Sequence, residues 1–192
     1  MCRTRLPEKM HIPADSIQVL TATRKGDTGT AALNRALQAA LNPAGAGRRE
    51  KLFGDLVFRE GDRVMQTRND YDVVWQKEDG TAGTGIFNGD VGKIAKIDPS
   101  GELLEIVFDD RTATYTSDML AELDMAYAMT VHKAQGSEYR GVVFVGAPCA
   151  PSLMVRGVLY TAITRARELL VIVGDDSAVN KMAENDRRSR RY

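Results

Sequence analysis

Val142 to Ala147 reads VVFVGA, Leu169 to Gly174 reads LLVIVG, and Ser152 to Arg165 between them reads SLMVRGVLYTAITR. Two short, near-continuous Val/Ile runs around a helical pattern predict buried parallel strands joined by a helix. A strand covered on both faces has no polar side, so its sequence does not alternate. A third such run, Ile17 to Thr23 (IQVLTAT), ends at Arg24-Lys25-Gly26. After it, Thr28 to Leu41 carries Ala32, Leu33, Ala36, Leu37, Ala40 and Leu41 at helical spacing until Asn42-Pro43 stops the pattern. A last helix is expected from about Asp176 to Asn185, followed by a basic tail, Arg187 to Tyr192, expected to fray.

Between these α/β pieces the texture changes. Short alternating segments at Arg63 to Arg68, Val91 to Ile97, Leu103 to Phe108 and Arg111 to Thr116 are separated by Asn88-Gly89-Asp90, Pro99-Ser100-Gly101 and Asp109-Asp110. Strands at this spacing predict a small β-barrel. Val73 to Gly85, with three glycines and no period, is expected to be a mobile hairpin tip. The chain therefore divides into residues 1–57, 58–123 and 124–192: one α/β domain interrupted by an inserted barrel.

The bulk numbers fit that picture. A chain of 192 residues that is 43% hydrophobic and 27% charged can bury a core without staples. It holds no apolar run long enough for a membrane span, and Met1 to Met10 lacks the apolar core of a secretory signal. Cys2 and Cys149 lie far apart, which predicts a reducing, cytoplasmic setting and no metal site. The formal net charge of zero counts against tight autonomous DNA binding, whose affinity comes largely from neutralised phosphates.

Two segments carry candidate chemistry. In Ala126 to Tyr139 (AYAMTVHKAQGSEY) a strand end is followed by a polar turn. There Gly136 permits close backbone approach, and Glu138 could accept a hydrogen bond from a sugar hydroxyl. Ligands sit at carboxyl ends of parallel strands, so such a turn suits a binding site, although a plain polar helix start fits equally well. In Leu159 to Leu170 (LYTAITRARELL), Tyr160, Ile163, Leu169 and Leu170 read as core. On a helix Arg165 and Arg167 would point apart. One of them could reach a transferring phosphoryl group; a solvated arginine near a helix end is the plainer account.

Taken together and in order, these segments resemble the C-terminal portion of RecD-like superfamily 1 helicases. AYAMTVHKAQGSEY looks like motif V, LYTAITRAREL like motif VI, and IQVLTATRKGDTGTAALNRALQAALNP like the motif IV region. GDRVMQTRNDYD and IFNGDVG resemble the segment opening that family's SH3-like barrel. The resemblance implies a RecA-like parallel-sheet domain of the P-loop NTPase type, with the SH3-like barrel inserted. It implies ATP with Mg2+ held between two such domains, the missing N-terminal one supplying the phosphate-binding loop. Arg165 matches the finger arginine, and Arg167 a structural position. Gly136, Gln135 and Glu138 match the nucleotide side, while Arg24 or Lys25 matches a motif IV cation near the γ-phosphate. Thr130 and His132 match positions near the DNA track. On the barrel, Gln66, Arg68, Asn69 and Asn88 could contact single-stranded DNA, and Tyr71 and Trp75 could stack on bases.

The chain departs from the family in one respect. No G-x-x-x-x-G-K-[ST] loop occurs, and Gly26 to Gly29 (GDTG) is too short. The expectation is a 5′-to-3′ helicase motor half that does not hydrolyse ATP alone, as an excised piece of a longer protein or a truncated reading frame. The alternative is a free-standing, non-catalytic module that binds single strands or regulates. The motifs leave repair, recombination and conjugation roles open.

Overall fold

The computed structural model describes residues 1–45 and 47–187. The basic tail expected to fray lies, beyond Arg187, outside the described residues. By its contacts the chain divides into two compact units: Gln38–Ala126, and the segments before and after it.

The flanking segments build a four-stranded parallel sheet. It comprises β1 (Ile17–Thr21), β11 (Ala128–Thr130), β12 (Tyr139–Gly146) and β13 (Ala166–Gly174), in the order β11-β1-β12-β13. Successive residues of a strand face opposite sides. Ile17, Val19, Ala128 and Val143 accordingly share one apolar cluster with Leu6 of α1 (Arg5–Met10) and Leu33 and Leu37 of α2 (Thr30–Leu41). On the other side β12 packs against α3 (Arg156–Ile163) and α4 (Asp176–Glu184). The parallel arrangement read from the apolar runs is thus present. Three details differ. The helix expected over Ser152 to Arg165 is only Arg156–Ile163, with turns before it. β13 is an edge strand, so Ile172 and Val173 are partly exposed instead of buried. β11 is a three-residue strand hidden inside the motif-like segment.

β11 is held on its outer edge by a side chain. The Asn34 amide donates to the Ala128 carbonyl at 3.0 Å and accepts from the Ala128 N–H at 2.7 Å. A buried asparagine in the middle of α2 thereby takes the place of a missing neighbouring strand.

The inserted unit is antiparallel. β4 (Arg63–Gln66), β5 (Asp70–Gln76), β6 (Ala82–Ile86), β7 (Val91–Ile97), β8 (Leu103–Phe108), β9 (Arg111–Thr116) and β10 (Leu123–Met125) form one sheet in the order β10-β4-β7-β8-β9-β5-β6. It encloses a single cluster containing Phe58, Val64, Val73, Ile86, Ile94, Ile106, Phe108 and Tyr115. The stretch expected to be a mobile tip is instead a paired hairpin, with Val74↔Thr84, Trp75↔Gly83 and Gln76↔Ala82 in register. Glycine is required there. A Cβ on Gly83 would sit 2.4 Å from Trp75 Cζ2, so the strand can pass the indole only at that residue.

The unit begins at Gln38, ahead of the expected residue 58. A further hairpin, β2 (Glu50–Phe53) with β3 (Leu56–Arg59), lies between α2 and β4. The buried Asp62 carboxylate accepts from Gln38 Nε2 (2.6 Å), Asn42 Nδ2 (2.7 Å) and the Arg59 N–H (2.8 Å), which fastens the end of α2 to the strands. Three donors on one buried carboxylate offset its desolvation.

Candidate functional site

The sheet register decides which candidate residues meet. Tyr139 of β12 lies opposite Ala166 of β13, and the Tyr139 N–H donates to the Arg165 carbonyl at 2.8 Å. The residues just before each strand, Gly136 to Glu138 and Arg165, therefore stand together at the amino edge of the sheet. The Arg165 guanidinium donates to the Ser137 carbonyl at 3.0 Å, to Thr164 Oγ1 at 3.2 Å and to the Thr161 carbonyl at 3.3 Å. It is half-buried, held by the end of α3 on one side and by the Gly136–Glu138 loop on the other. A guanidinium has five N–H donors, so two remain for a ligand.

Arg167 stands beside it. Its Nε lies 3.5 Å from Glu138 Oε2, in a pair exposed on both sides. The expectation that Arg165 and Arg167 diverge assumed a helix. Neither is helical, because α3 ends at Ile163 and β13 begins at Ala166. Residues two apart in an extended segment share a side, and both arginines turn to the same loop. An exposed ion pair contributes little stability and exchanges readily for another partner. Gly136 has φ +88°, and open space stands where its Cβ would be. Gln135 and Glu138 are exposed.

Arg24 and Lys25 lie elsewhere. They follow Thr21, which is in register with Thr130 and with Val145, so they belong to the carboxyl edge of the sheet. β1 spans five residues, which at about 3.3 Å each separates the two edges by roughly 16 Å. The structure does not bring Arg24 or Lys25 to Arg165. It places them in a tight loop with the end of β11: Thr21 Oγ1 donates to the Thr28 carbonyl at 2.8 Å, and the Val131 N–H to the Thr21 carbonyl at 3.0 Å. Thr130 accepts from the Lys133 N–H at its hydroxyl, and His132 is exposed in the turn that follows. Thr130 thus lies at the carboxyl ends of the strands, whereas Gly136 to Glu138 lie at the amino edge.

In the inserted unit the polar candidates separate into two kinds. Gln66 is fully buried, with 0% exposure. Its Nε2 donates to Glu122 Oε2 at 2.8 Å, and its Oε1 accepts from the Tyr115 hydroxyl at 2.9 Å. Both ends of the amide are committed inside the barrel, so the expectation of a DNA contact at Gln66 is corrected. Burial, with the carboxylates of Asp70, Glu122 and Asp90 nearby, pushes the Tyr115 phenol up and keeps it a neutral donor. Arg68, Asn69 and Asn88 are exposed, and Asn69 Oδ1 accepts from the Asn88 N–H at 3.0 Å. Trp75, expected as a stacking residue, packs against the core with Lys77 and Arg111 over its ring. Tyr71 stays exposed. Phe87, which the sequence reading did not single out, joins it edge to face at 5.6 Å. An apolar residue directly before an Asn-Gly-Asp turn was the signal for it.

Both parts of the chain resemble known proteins. Residues 33–108 match the family described as the ATP-dependent RecD-like DNA helicase SH3 domain, and residues 125–173 match the UvrD-like helicase C-terminal domain. The ATP-dependent RecD2 DNA helicase of Deinococcus radiodurans is 37% identical over 91% of this chain, which spans 22% of that protein. The RecBCD enzyme subunit RecD of Mycolicibacterium smegmatis is 30% identical over 88% of this chain, which spans 27% of it. The Pif1 helicase of Bacteroides, solved with ADP-AlF3 and single-stranded DNA, shares the fold with a TM-score of 0.52. That likeness is at 19% identity and covers 86% of this chain and 41% of that one. The chain belongs to the RecD-like superfamily 1 helicases and corresponds to their SH3 and C-terminal helicase domains.

Proposed function

We propose that this chain is the second motor half of an ATP-dependent 5′-to-3′ DNA helicase, and that Arg165 is the arginine it contributes to ATP hydrolysis. The observation that carries the reading is the placement of the Arg165 guanidinium on the Ser137 carbonyl, next to the open space at Gly136 and the exchangeable Glu138 carboxylate. These residues suit one side of a nucleotide. Two spare guanidinium donors match phosphate oxygens, and a loosely paired carboxylate can accept from sugar hydroxyls. Gln135 borders the same loop. No phosphate-cradling loop accompanies them in the sequence, so ATP and Mg2+ would be held chiefly by a P-loop domain on a partner segment. ATP would supply the phosphoryl group and Mg2+ its charge neutralisation, while Arg165 stabilises charge developing on the transferred group.

Single-stranded DNA is the second ligand. Thr130 and His132 at the carboxyl edge, and Arg68, Asn69 and Asn88 on the inserted unit, are the proposed contacts. The Pif1 relative's complex with single-stranded DNA supports this reading. RecBCD subunits among the relatives favour a repair or recombination setting in the cytoplasm. No helix among the described residues is long and apolar enough to cross a membrane. The chain alone is expected to bind ATP weakly and not to turn it over, and DNA-stimulated hydrolysis by the purified 192-residue protein would refute this.

A further inference from the structure

The zero net charge conceals a division. From Gln38 to Ala126 the sequence carries 10 Lys and Arg against 17 Asp and Glu, a formal −7; the remainder carries the other 16 and 9, a formal +7. A unit at −7 repels a polyanion, so any grip it has on a nucleic acid strand cannot come mainly from phosphate neutralisation. The same unit nevertheless displays two aromatic rings to solvent. Tyr71 is 66% exposed and Phe87 41%, in edge-to-face contact. A singly exposed apolar residue needs no explanation, but these two rings touch and so form one contiguous patch.

Phe87 sits at the head of a turn tied down at several points. Its N–H donates to Asp90 Oδ2, its carbonyl accepts from the Asp90 N–H, and the Gly89 N–H donates to the Gln66 carbonyl. A Cβ on Gly85 would lie 2.9 Å from the Phe87 ring, so the absence of one lets the ring lie against the strand. Tyr71 extends from β5 beside it. Asp70 and Asp72, its neighbours in sequence, line a groove of about 680 Å3 together with Trp75, Glu78 and Glu105, and Tyr71 is not among the residues lining that groove. Those carboxylates open on the groove, which Tyr71 does not line, and Asp90, whose carboxylate accepts from the Phe87 N–H, is paired with Arg111 at 3.2 Å. Arg68, Asn69 and Asn88, all exposed, lie within three residues of one ring or the other.

We propose that the Tyr71–Phe87 pair is a base-stacking platform, through which the acidic inserted unit grips single-stranded DNA by its bases and not by its phosphates. The inference rests on the single-strand reading above and deepens it. Stacking one base on one aromatic side chain changes affinity by about five-fold to more than a hundred-fold, and it tolerates any sequence because every base has a flat face. Such a grip is also less sensitive to salt than a phosphate contact.

The test is fluorescence anisotropy with the full chain and two labelled strands of equal length: oligo-dT, and an abasic strand that keeps every phosphate. The expected result is at least ten-fold tighter binding of oligo-dT, a preference that persists as salt is raised. Tyr71→Ala and Phe87→Ala should each erase most of it, and Tyr71→Trp should keep it. Thermal unfolding of each variant checks that the barrel is intact. Should Phe87→Ala unfold, the Tyr71 pair of variants decides alone, since that side chain is mostly solvated. Equal binding of both strands by the unmodified chain, or a preference that survives Tyr71→Ala, overturns the platform and leaves the single-strand reading standing. Binding of neither strand overturns both.

Discussion

Replacing Asn34 by alanine should unfold the parallel-sheet unit well before it disturbs the barrel. The Asn34 amide makes two hydrogen bonds, at 3.0 and 2.7 Å, to the carbonyl and N–H of Ala128, a residue 1% exposed on the outer edge of β11. Alanine removes both partners and leaves two buried backbone groups without them. Each such group costs about 1–3 kcal/mol, so the pair costs roughly 2–6 kcal/mol. That is a large part of the roughly 5–15 kcal/mol that stabilises an ordinary domain. Aspartate is no remedy. It keeps the acceptor for the Ala128 N–H but sets a carboxylate oxygen against the Ala128 carbonyl. The two units can be followed separately in guanidinium titrations. Trp75 is the sole tryptophan and lies in the barrel, while α1, α3 and α4 belong wholly to the other unit. Far-UV circular dichroism should therefore shift to lower denaturant while tryptophan fluorescence changes much less. A loss below about 0.5 kcal/mol would show that β11 does not depend on the side chain, and with it that Thr130 and the loop to Gly136 are positioned otherwise.

Three further outcomes follow from single contacts. Gln66→Leu should destabilise the barrel by roughly 2–4 kcal/mol, because Tyr115 and Glu122 both lose a buried partner; tryptophan-monitored unfolding measures it, and a neutral result would reopen Gln66 as a surface contact. Gly83→Ala should displace the indole and shift its emission, at a cost of about 1–3 kcal/mol, and an unchanged spectrum would contradict the close approach of strand and ring. Acid should loosen the β7–β8 turn. Hydrogen bonds from the Leu103 N–H and from Ser100 hold the Asp98 carboxyl down to about 2. A carboxyl depressed in the folded state stabilises above its unfolded value, near 3.9, and that contribution disappears as pH falls through the folded value. Stability of the barrel should thus decline between about pH 4 and 2, and Asp98→Asn should flatten this part of the profile.

The parallel strands were legible because full burial leaves a signature, an unbroken apolar run, at β1 and β12. Alternation did the same for β7, β8 and β9. What escaped was set by partners distant in sequence. The exposure of Ile172 and Val173 depends on β13 ending the sheet, which no local pattern states. The hairpin of β5 and β6 looked aperiodic, since its glycines are dictated by the Trp75 ring and not by a face. Gln66 is indistinguishable in sequence from a polar residue facing solvent; only the Tyr115 hydroxyl opposite makes it core. Likewise, Arg165 and Arg167 converge on the 137–138 loop through the pairing of Tyr139 with Ala166, and Arg24 is separated from them by the length of β1.

The central claim is that Arg165 completes a nucleotide site shared with a P-loop domain. It is tested by Arg165→Ala in a RecD-like helicase that carries this segment together with that domain, reading single-strand-stimulated ATPase turnover and strand affinity side by side. The account predicts a fall in turnover of about 10³- to 10⁵-fold with strand affinity unchanged. Turnover within a few-fold of the unmodified enzyme would contradict it.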